Sequence, residues 1–171
     1  MCDEAVIHRC QLHKIRNVEA KLPKRLREVV AKRMRAAYRA DTALIGESLL
    51  RELAAELDQT HPGAAASLRE GLTETLTVLR LAVPPTLART LRSTNAIESM
   101  ISICRDHSEN VKRWRDATMA LRWCAAGMDE ATNQFRRVNG HLHLRKLRDT
   151  LDAQVADTVS ATCQDEDQKV A

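Results

Sequence analysis

A mainly α fold is what this sequence predicts, and three observations carry the prediction. Alanine, leucine and arginine dominate the chain, and only five glycines and four prolines interrupt its 171 residues. Apolar side chains recur at three- and four-residue spacing over most of its length. The aromatic residues are four in number (Tyr38, Trp114, Trp123 and Phe135), a composition that suits helices much better than a sandwich or barrel.

The elements follow in order. Ala5-Val6-Ile7-His8-Arg9 is short and β-branched, and is the one segment that reads as a strand. Gln11 to Glu19 reads as a basic helix ending near Leu22-Pro23. Lys24 to Ala40 is a long helix with Leu26, Val29, Val30, Met34 and Ala37 at helical spacing. Asp41 is placed to cap a helix from Thr42 to Leu57, whose Leu44, Leu49, Leu50, Leu53 and Leu57 make an apolar stripe. Thr60-His61-Pro62-Gly63 is a break. Ala64 to Leu81 reads as one further helix, terminated by Val83-Pro84-Pro85.

Thr94 and Asn95 are helix-start residues and open the next helix, which breaks at Ser108-Glu109-Asn110. Asp116 is placed to cap a long amphipathic helix from Ala117 to about Arg137, carrying Met119, Leu121, Trp123, Cys124, Met128 and Phe135. Asn139-Gly140 ends it, because glycine tolerates the left-handed conformation of a helix C-terminus. His141 to Ala156 can form one more helix, and from Asp157 onward the chain is polar, acidic and expected to be frayed.

At 171 residues and 44% hydrophobic, the chain is long enough for a domain with a real core. No apolar run reaches the length of a membrane span and the N-terminus lacks a signal-peptide core, so a cytoplasmic protein without membrane partners is expected. The five cysteines, at 2, 10, 104, 124 and 163, are scattered and form no Cys-x-x-Cys pair, which argues against a disulfide framework. No Gly-rich phosphate loop and no nucleophile elbow occurs, so nucleophilic hydrolysis has no support.

The net charge of +4 conceals a strong alternation. Residues 1–40 carry 11 basic and 4 acidic side chains, residues 41–79 carry 2 and 7, residues 80–148 carry 13 and 6, and residues 149–171 carry 1 and 6. Two blocks of +7 separated by one of −5 suggest two surfaces that meet phosphate and a spacer that does not; an ordinary solvated helical surface is the alternative. Lys14, Arg16, Lys21, Lys24 and Arg25 crowd one short segment with Asn17. Lys112, Arg113, Arg115 and Arg122 form a second cluster around Trp114, which can stack on an unpaired base or, more commonly for a lone tryptophan, lie half-buried.

The densest signal is Ser93-Thr94-Asn95-Ala96-Ile97-Glu98-Ser99 and the helix that follows it. Glu98 and Arg105, seven residues apart, share a helix face roughly 10 Å apart along the axis. An acid and a base so arranged can hold a divalent metal beside a nucleic-acid phosphate. The alternative is a capping box, in which Glu98 only returns a hydrogen bond to the helix start. Cys10 and His13 have the spacing of a zinc half-site, with packing and hydrogen bonding as the alternative; His141 and His143 are the nearest ligands of matching type.

Thr94-Asn95-Ala96-Ile97-Glu98-Ser99 resembles the third catalytic-acid motif of the Mutator-type transposases, DDE enzymes of insertion sequences. Two further blocks resemble the same family in the same order: Arg9-Cys10-Gln11-Leu12-His13-Lys14-Ile15-Arg16-Asn17-Val18 with Leu22-Pro23-Lys24 upstream, and Phe135-Arg136-Arg137-Val138-Asn139-Gly140-His141-Leu142-His143-Leu144 downstream. The resemblance runs from about residue 8 to about residue 150. It implies the C-terminal remnant of a ribonuclease-H-like catalytic domain with its all-α insertion. Residues 1–23 would be the core remnant with the Cys-x-x-His segment, 24–92 the all-helical insertion, 93–156 the catalytic-acid and C-terminal helices, and 157–171 a disordered tail.

The same resemblance implies DNA transposition by metal-dependent strand cleavage and transfer, in a bacterial insertion element. Glu98 would be the catalytic acid and one magnesium (or manganese) ligand in a complete site. Arg105 would contact the transposon end, and Lys14, Arg16, Lys24, Arg25, Lys112, Arg113 and Arg115 would contact DNA. Both family aspartates precede the Cys-x-x-His block, whereas Asp3 and Glu4 are the sole acids ahead of Cys10 here. The expectation is therefore a truncated form lacking two of three carboxylates, binding no metal and cutting no DNA by itself. The partners expected are DNA, a second copy of the chain, or a full-length transposase. A non-catalytic DNA-binding or dimerising regulator is the alternative, and a purely structural helical module the third reading.

Overall fold

The structure is a computed structural model and describes residues 6–153. These fall into two compact units, one made of the residues up to 92 together with those from 139, the other of residues 93–138. No strand occurs among the described residues. The expected strand does not form at Val6–Arg9, because no described segment offers it a partner strand. The Arg9 N–H donates instead to the Glu74 carbonyl (3.2 Å), and the Ile7 carbonyl accepts from the Thr77 hydroxyl (2.8 Å).

In the first unit, α1 (Gln11–Ala20), α2 (Lys24–Ala37), α3 (Ala43–Asp58) and α4 (Pro62–Arg69) pack in sequence, and α4 returns to α1. Leu22 and Pro23 separate α1 from α2, since proline at the N-cap leaves no backbone donor to continue the ladder. α3 is capped by Thr42, not by Asp41: the Thr42 Oγ1 accepts from the Ile45 N–H at 3.2 Å. Its buried face holds Gly46, Leu50, Leu53, Ala54 and Leu57, while Leu44 and Leu49 lie off that face and remain exposed. Met34 and Ala37 from α2, and Tyr38 just after it, meet this face in one continuous core with Ile15, Val18, Ala64, Ala65 and Leu68.

The single helix expected over Ala64–Leu81 is three: α4, then α5 (Leu72–Thr75) and α6 (Thr77–Arg80). Gly71 breaks it at φ +58°, in the left-handed region. A Cβ there would run into the Arg9 guanidinium, so glycine is required both by conformation and by the arginine laid across it. Pro84-Pro85 does not simply stop the chain. Pro85 is the first residue of α7 (Pro85–Leu91), a position where its missing N–H costs nothing.

A second core cluster holds Val78, Leu81, Val83, Leu87 and Ala88, with Leu147 and Leu151 packed against it. It thus packs the C-terminal part, a 3-10 turn at His141–His143 followed by helix from 144 to 153, onto the preceding residues of the same unit. The expected tail from Asp157 lies outside the described residues.

The second unit is a helical hairpin of α8 (Asn95–Ser108) and α9 (Ala117–Gln134). Asp116 caps α9, its Oδ1 accepting from the Met119 N–H at 2.7 Å. The helix ends at Gln134, short of Arg137, and its buried residues are Gly127 and Ala131 rather than its large apolar ones.

Candidate nucleic-acid interface

α8 begins where the Thr-Asn pair places its start, with Thr94 as N-cap and Glu98 in the first turn. The capping box does not form. Thr94 makes no side-chain bond to a backbone N–H, and its hydroxyl donates to the Glu98 carboxylate instead. The reason is register: with Thr94 as the cap, Glu98 stands four residues on, one beyond the position from which a box closes. The Glu98 N–H makes the ordinary helical bond to the Thr94 carbonyl at 2.9 Å. Glu98 is exposed, and so is Arg105 in the last turn, where a cation complements the negative helix end. Two turns of α-helix put them on one side of α8, ~10 Å apart along its axis.

α8 buries no residue of its own. It is held by the close approach of α9: a Cβ on Gly127 would lie 2.8 Å from the Cys104 Cα and 3.2 Å from its Sγ. Residues 109–116, between the helices, present Lys112, Arg113, Trp114 and Arg115 in succession, all exposed. Trp114 is 46% exposed and stands between Arg113 and Arg115 in the chain. A groove of about 530 Å³ opens along Ile97, Met100, Ile103, Phe135 and Val138 of the same hairpin, with Arg136 at its wall.

The basic residues read near the N-terminus separate in the structure. Arg16, Lys24 and Arg25 are exposed. Lys14 is not: only 5% of it is accessible, and its Nζ donates to the carbonyls of Ser67 (2.5 Å) and Glu70. Those carbonyls close the last turn of α4, where an ammonium satisfies acceptors that the helix itself leaves open. Burial pushes the Lys14 pKa down. Lys14 is thus an internal clamp between α1 and α4 and does not offer its charge to DNA. Arg9 reinforces the same junction through Glu70 (2.8 Å) and Glu74.

Cys10 and His13 sit one turn apart at the start of α1, the cysteine half-buried and the histidine exposed. Among the described residues, no group of three or more His, Cys, Asp or Glu side chains is arranged to hold a metal ion. Magnesium keeps its waters unless several hard oxygens converge on it. Glu98 supplies one carboxylate, so the described residues do not by themselves fit a two-metal centre.

Sequence reasoning missed Lys32, Arg35 and Arg39, which extend the basic surface past Arg25. The seven-residue spacing of Arg25, Lys32 and Arg39 was the available signal, obscured by counting residues 1–40 as one block of charge.

The model of the family described as "Transposase, Mutator family" matches residues 1–138. No curated protein and no solved structure matches the chain. No helix among the described residues is long and apolar enough to cross a membrane.

Proposed function

The chain belongs to the Mutator family of transposases, and from that membership we propose that it serves DNA transposition, with Glu98 as a catalytic carboxylate. The observation that carries the proposal is the position of Glu98: an exposed acid in the first turn of α8, oriented by the Thr94 hydroxyl and inside the family match. The positive end of a helix favours a carboxylate at that point. In strand cleavage and transfer, magnesium or manganese would activate the attacking oxygen and stabilise the leaving one. Glu98 contributes one ligand to such a centre. The other carboxylates must come from outside the arrangement that the described residues provide.

Arg105 and the Lys112–Arg115 connection are the proposed DNA contacts of the second unit, and Arg16, Lys24 and Arg25 those of the first. Charges on exposed helices and loops position a phosphate backbone without reading its sequence. Binding should therefore weaken by orders of magnitude between about 50 and 200 mM salt.

The test is Glu98→Gln, made in this chain and in a chain extended upstream, assayed on transposon-end DNA. Strand cleavage is expected to fall beyond the ~100-fold that losing a supporting partner of a metal ligand costs, with DNA affinity unchanged. Cleavage that survives the substitution would remove Glu98 from the chemistry. DNA binding without any cleavage by the unsubstituted protein would assign the chain to the non-catalytic, DNA-binding reading.

A further inference from the structure

The first unit sorts its arginines and lysines into two sets. Arg9, Arg33, Arg51 and Arg69 each face a carboxylate, at Glu70 and Glu74, Glu56, Glu47 and Asp58 respectively. The cations along the outer side of α2 do not. Arg25, Lys32 and Arg35 are exposed, Arg39 follows them at the end of the helix, and none of the four pairs with an acid among the described residues. Seven-residue steps from 25 to 32 to 39, with 35 between, stack these side chains along one side of the helix and its C-terminal turn, a side that also carries the exposed Glu28. The stretch from Arg25 to Arg39 covers about 21 Å at 1.5 Å per residue.

Arg39 ends this ridge beside two more arginines. Arg89 and Arg92, three apart, share one side of α7 and its cap. Arg92 is fixed through its backbone, the carbonyl accepting from the Gln11 N–H at 3.1 Å. Its side chain is half-buried, and its Nε is shielded from solvent without a hydrogen-bond partner. Burial, then the neighbouring charges of Arg39 and Arg89, hold its pKa below the usual arginine range. A cleft of about 290 Å³ opens along Thr86, Arg89, Asn139 and Gly140, and of the three arginines Arg89 alone lines it. Arg92 thus meets the charges of Arg39 and Arg89 with a shielded, idle donor of its own, an arrangement that an anion would relieve. Guanidinium forks match the oxygens of a phosphate and bind it through paired, charge-assisted hydrogen bonds.

We propose that Arg39, Arg89 and Arg92 form a phosphate seat which, with the α2 ridge of Arg25, Lys32 and Arg35, holds the backbone of duplex DNA on the first unit. The inference rests on the reading of the chain as a transposase and adds Lys32, Arg35, Arg39, Arg89 and Arg92 to the DNA contacts proposed for the first unit. At 3.4 Å of axis per nucleotide of one strand, the ridge is long enough to follow about six phosphates. Contact is to backbone alone, so the track positions DNA and does not choose its sequence.

The experiment measures binding of the full chain to a short fluorescent duplex of arbitrary sequence by anisotropy, at several salt concentrations. The pair Arg39→Gln/Arg89→Gln is compared with Arg33→Gln/Arg51→Gln, arginines already engaged by carboxylates. The seat variant is expected to lose about tenfold in affinity, with the slope of log K against log salt reduced by ~0.9 for each phosphate no longer neutralised. The control pair should match the unaltered chain. Arg92→Gln should reproduce the loss; should that half-buried substitution unfold the chain, the Arg39/Arg89 pair still decides the question. Affinity and slope unchanged in Arg39→Gln/Arg89→Gln, while the unaltered chain binds, would overturn the phosphate seat and leave the transposase reading intact. No salt-dependent binding by the unaltered chain even at low salt would overturn the seat and the DNA-binding reading together.

Discussion

In the first unit Met34, Leu50, Leu53, Leu68, Leu76 and Leu87 are all but sealed from solvent; in the second the buried positions are Gly127 and Ala131, while Leu121 is 70% exposed and Phe135 52%. The same kind of amphipathic sequence therefore does two different jobs. In the first unit large side chains interlock, and stability comes from apolar area removed from water. In the second, two helices approach until small residues touch backbone, and the large apolar side chains stay on the surface. The residues proposed for chemistry and for DNA contact in the second unit, Glu98, Arg105 and Lys112 to Arg115, are correspondingly all exposed. Substituting them should change function with little loss of fold, whereas the first unit should respond to its core.

The sharpest break of this comparison is a matched pair of truncations. Leu53→Ala is expected to cost about 3 kcal/mol, because a fully buried leucine leaves a cavity behind. Leu121→Ala should stay within about 0.5 kcal/mol, the range of ordinary surface changes. Urea denaturation followed by circular dichroism measures both. Equal costs would mean that the second unit buries Leu121 in solution and that the contrast is false.

Next in size is a pH effect confined to the first unit. Tyr38 is 2% exposed, and burial raises its phenol pKa from 10.0 to about 12. The neutral form is the one the fold prefers, so this contribution is intact below pH 10 and declines as pH rises from 10 to about 12. The loss should approach roughly 2–3 kcal/mol at the top of that window, two pKa units at 1.36 kcal/mol each. Tyr38 is the sole tyrosine, so tyrosinate absorbance reads it directly. A Tyr38→Phe chain should lack this part of the alkaline slope; an identical slope in both chains would assign it elsewhere.

A glycine pair sharpens the comparison from the other side. Gly127→Val should destabilise the α8–α9 hairpin by about 2 kcal/mol, because the new side chain meets the Cys104 backbone and only a helix shift relieves it. Both tryptophans lie in this unit, so their fluorescence reports its loosening. Gly63→Ala in α4 has nothing within 4 Å of the new methyl group. It should stabilise the first unit by roughly 0.5 kcal/mol through the unfolded chain alone. Equal effects at the two glycines would deny that the hairpin is held by close backbone approach.

Much of this molecule was determined locally, and so was legible in the sequence. The α class, the Asp116 cap and the start of α8 at Thr94-Asn95 each depend on a few consecutive residues; the expected break at 60–63 ends at His61 because Pro62 already opens α4, and Gly140 is left-handed but precedes the turn at His141 and does not end α9. Glu98 falls in a first turn for the same reason. What the tertiary structure decided involves partners far along the chain. Val6 to Arg9 is not a strand because its backbone bonds go to Glu74 and Thr77, more than sixty residues away. Gly71 splits the expected long helix where Arg9 crosses it. Lys14 has the surface charge that composition assigns it, but the carbonyls at the end of α4 draw it inside. The arginines at 39 and 92 form no pattern in the sequence, and only the fold sets their charges against each other. Backbone preference acts over a turn or two of helix and is written in neighbouring residues; burial and charge act through space, and only the fold supplies the neighbours.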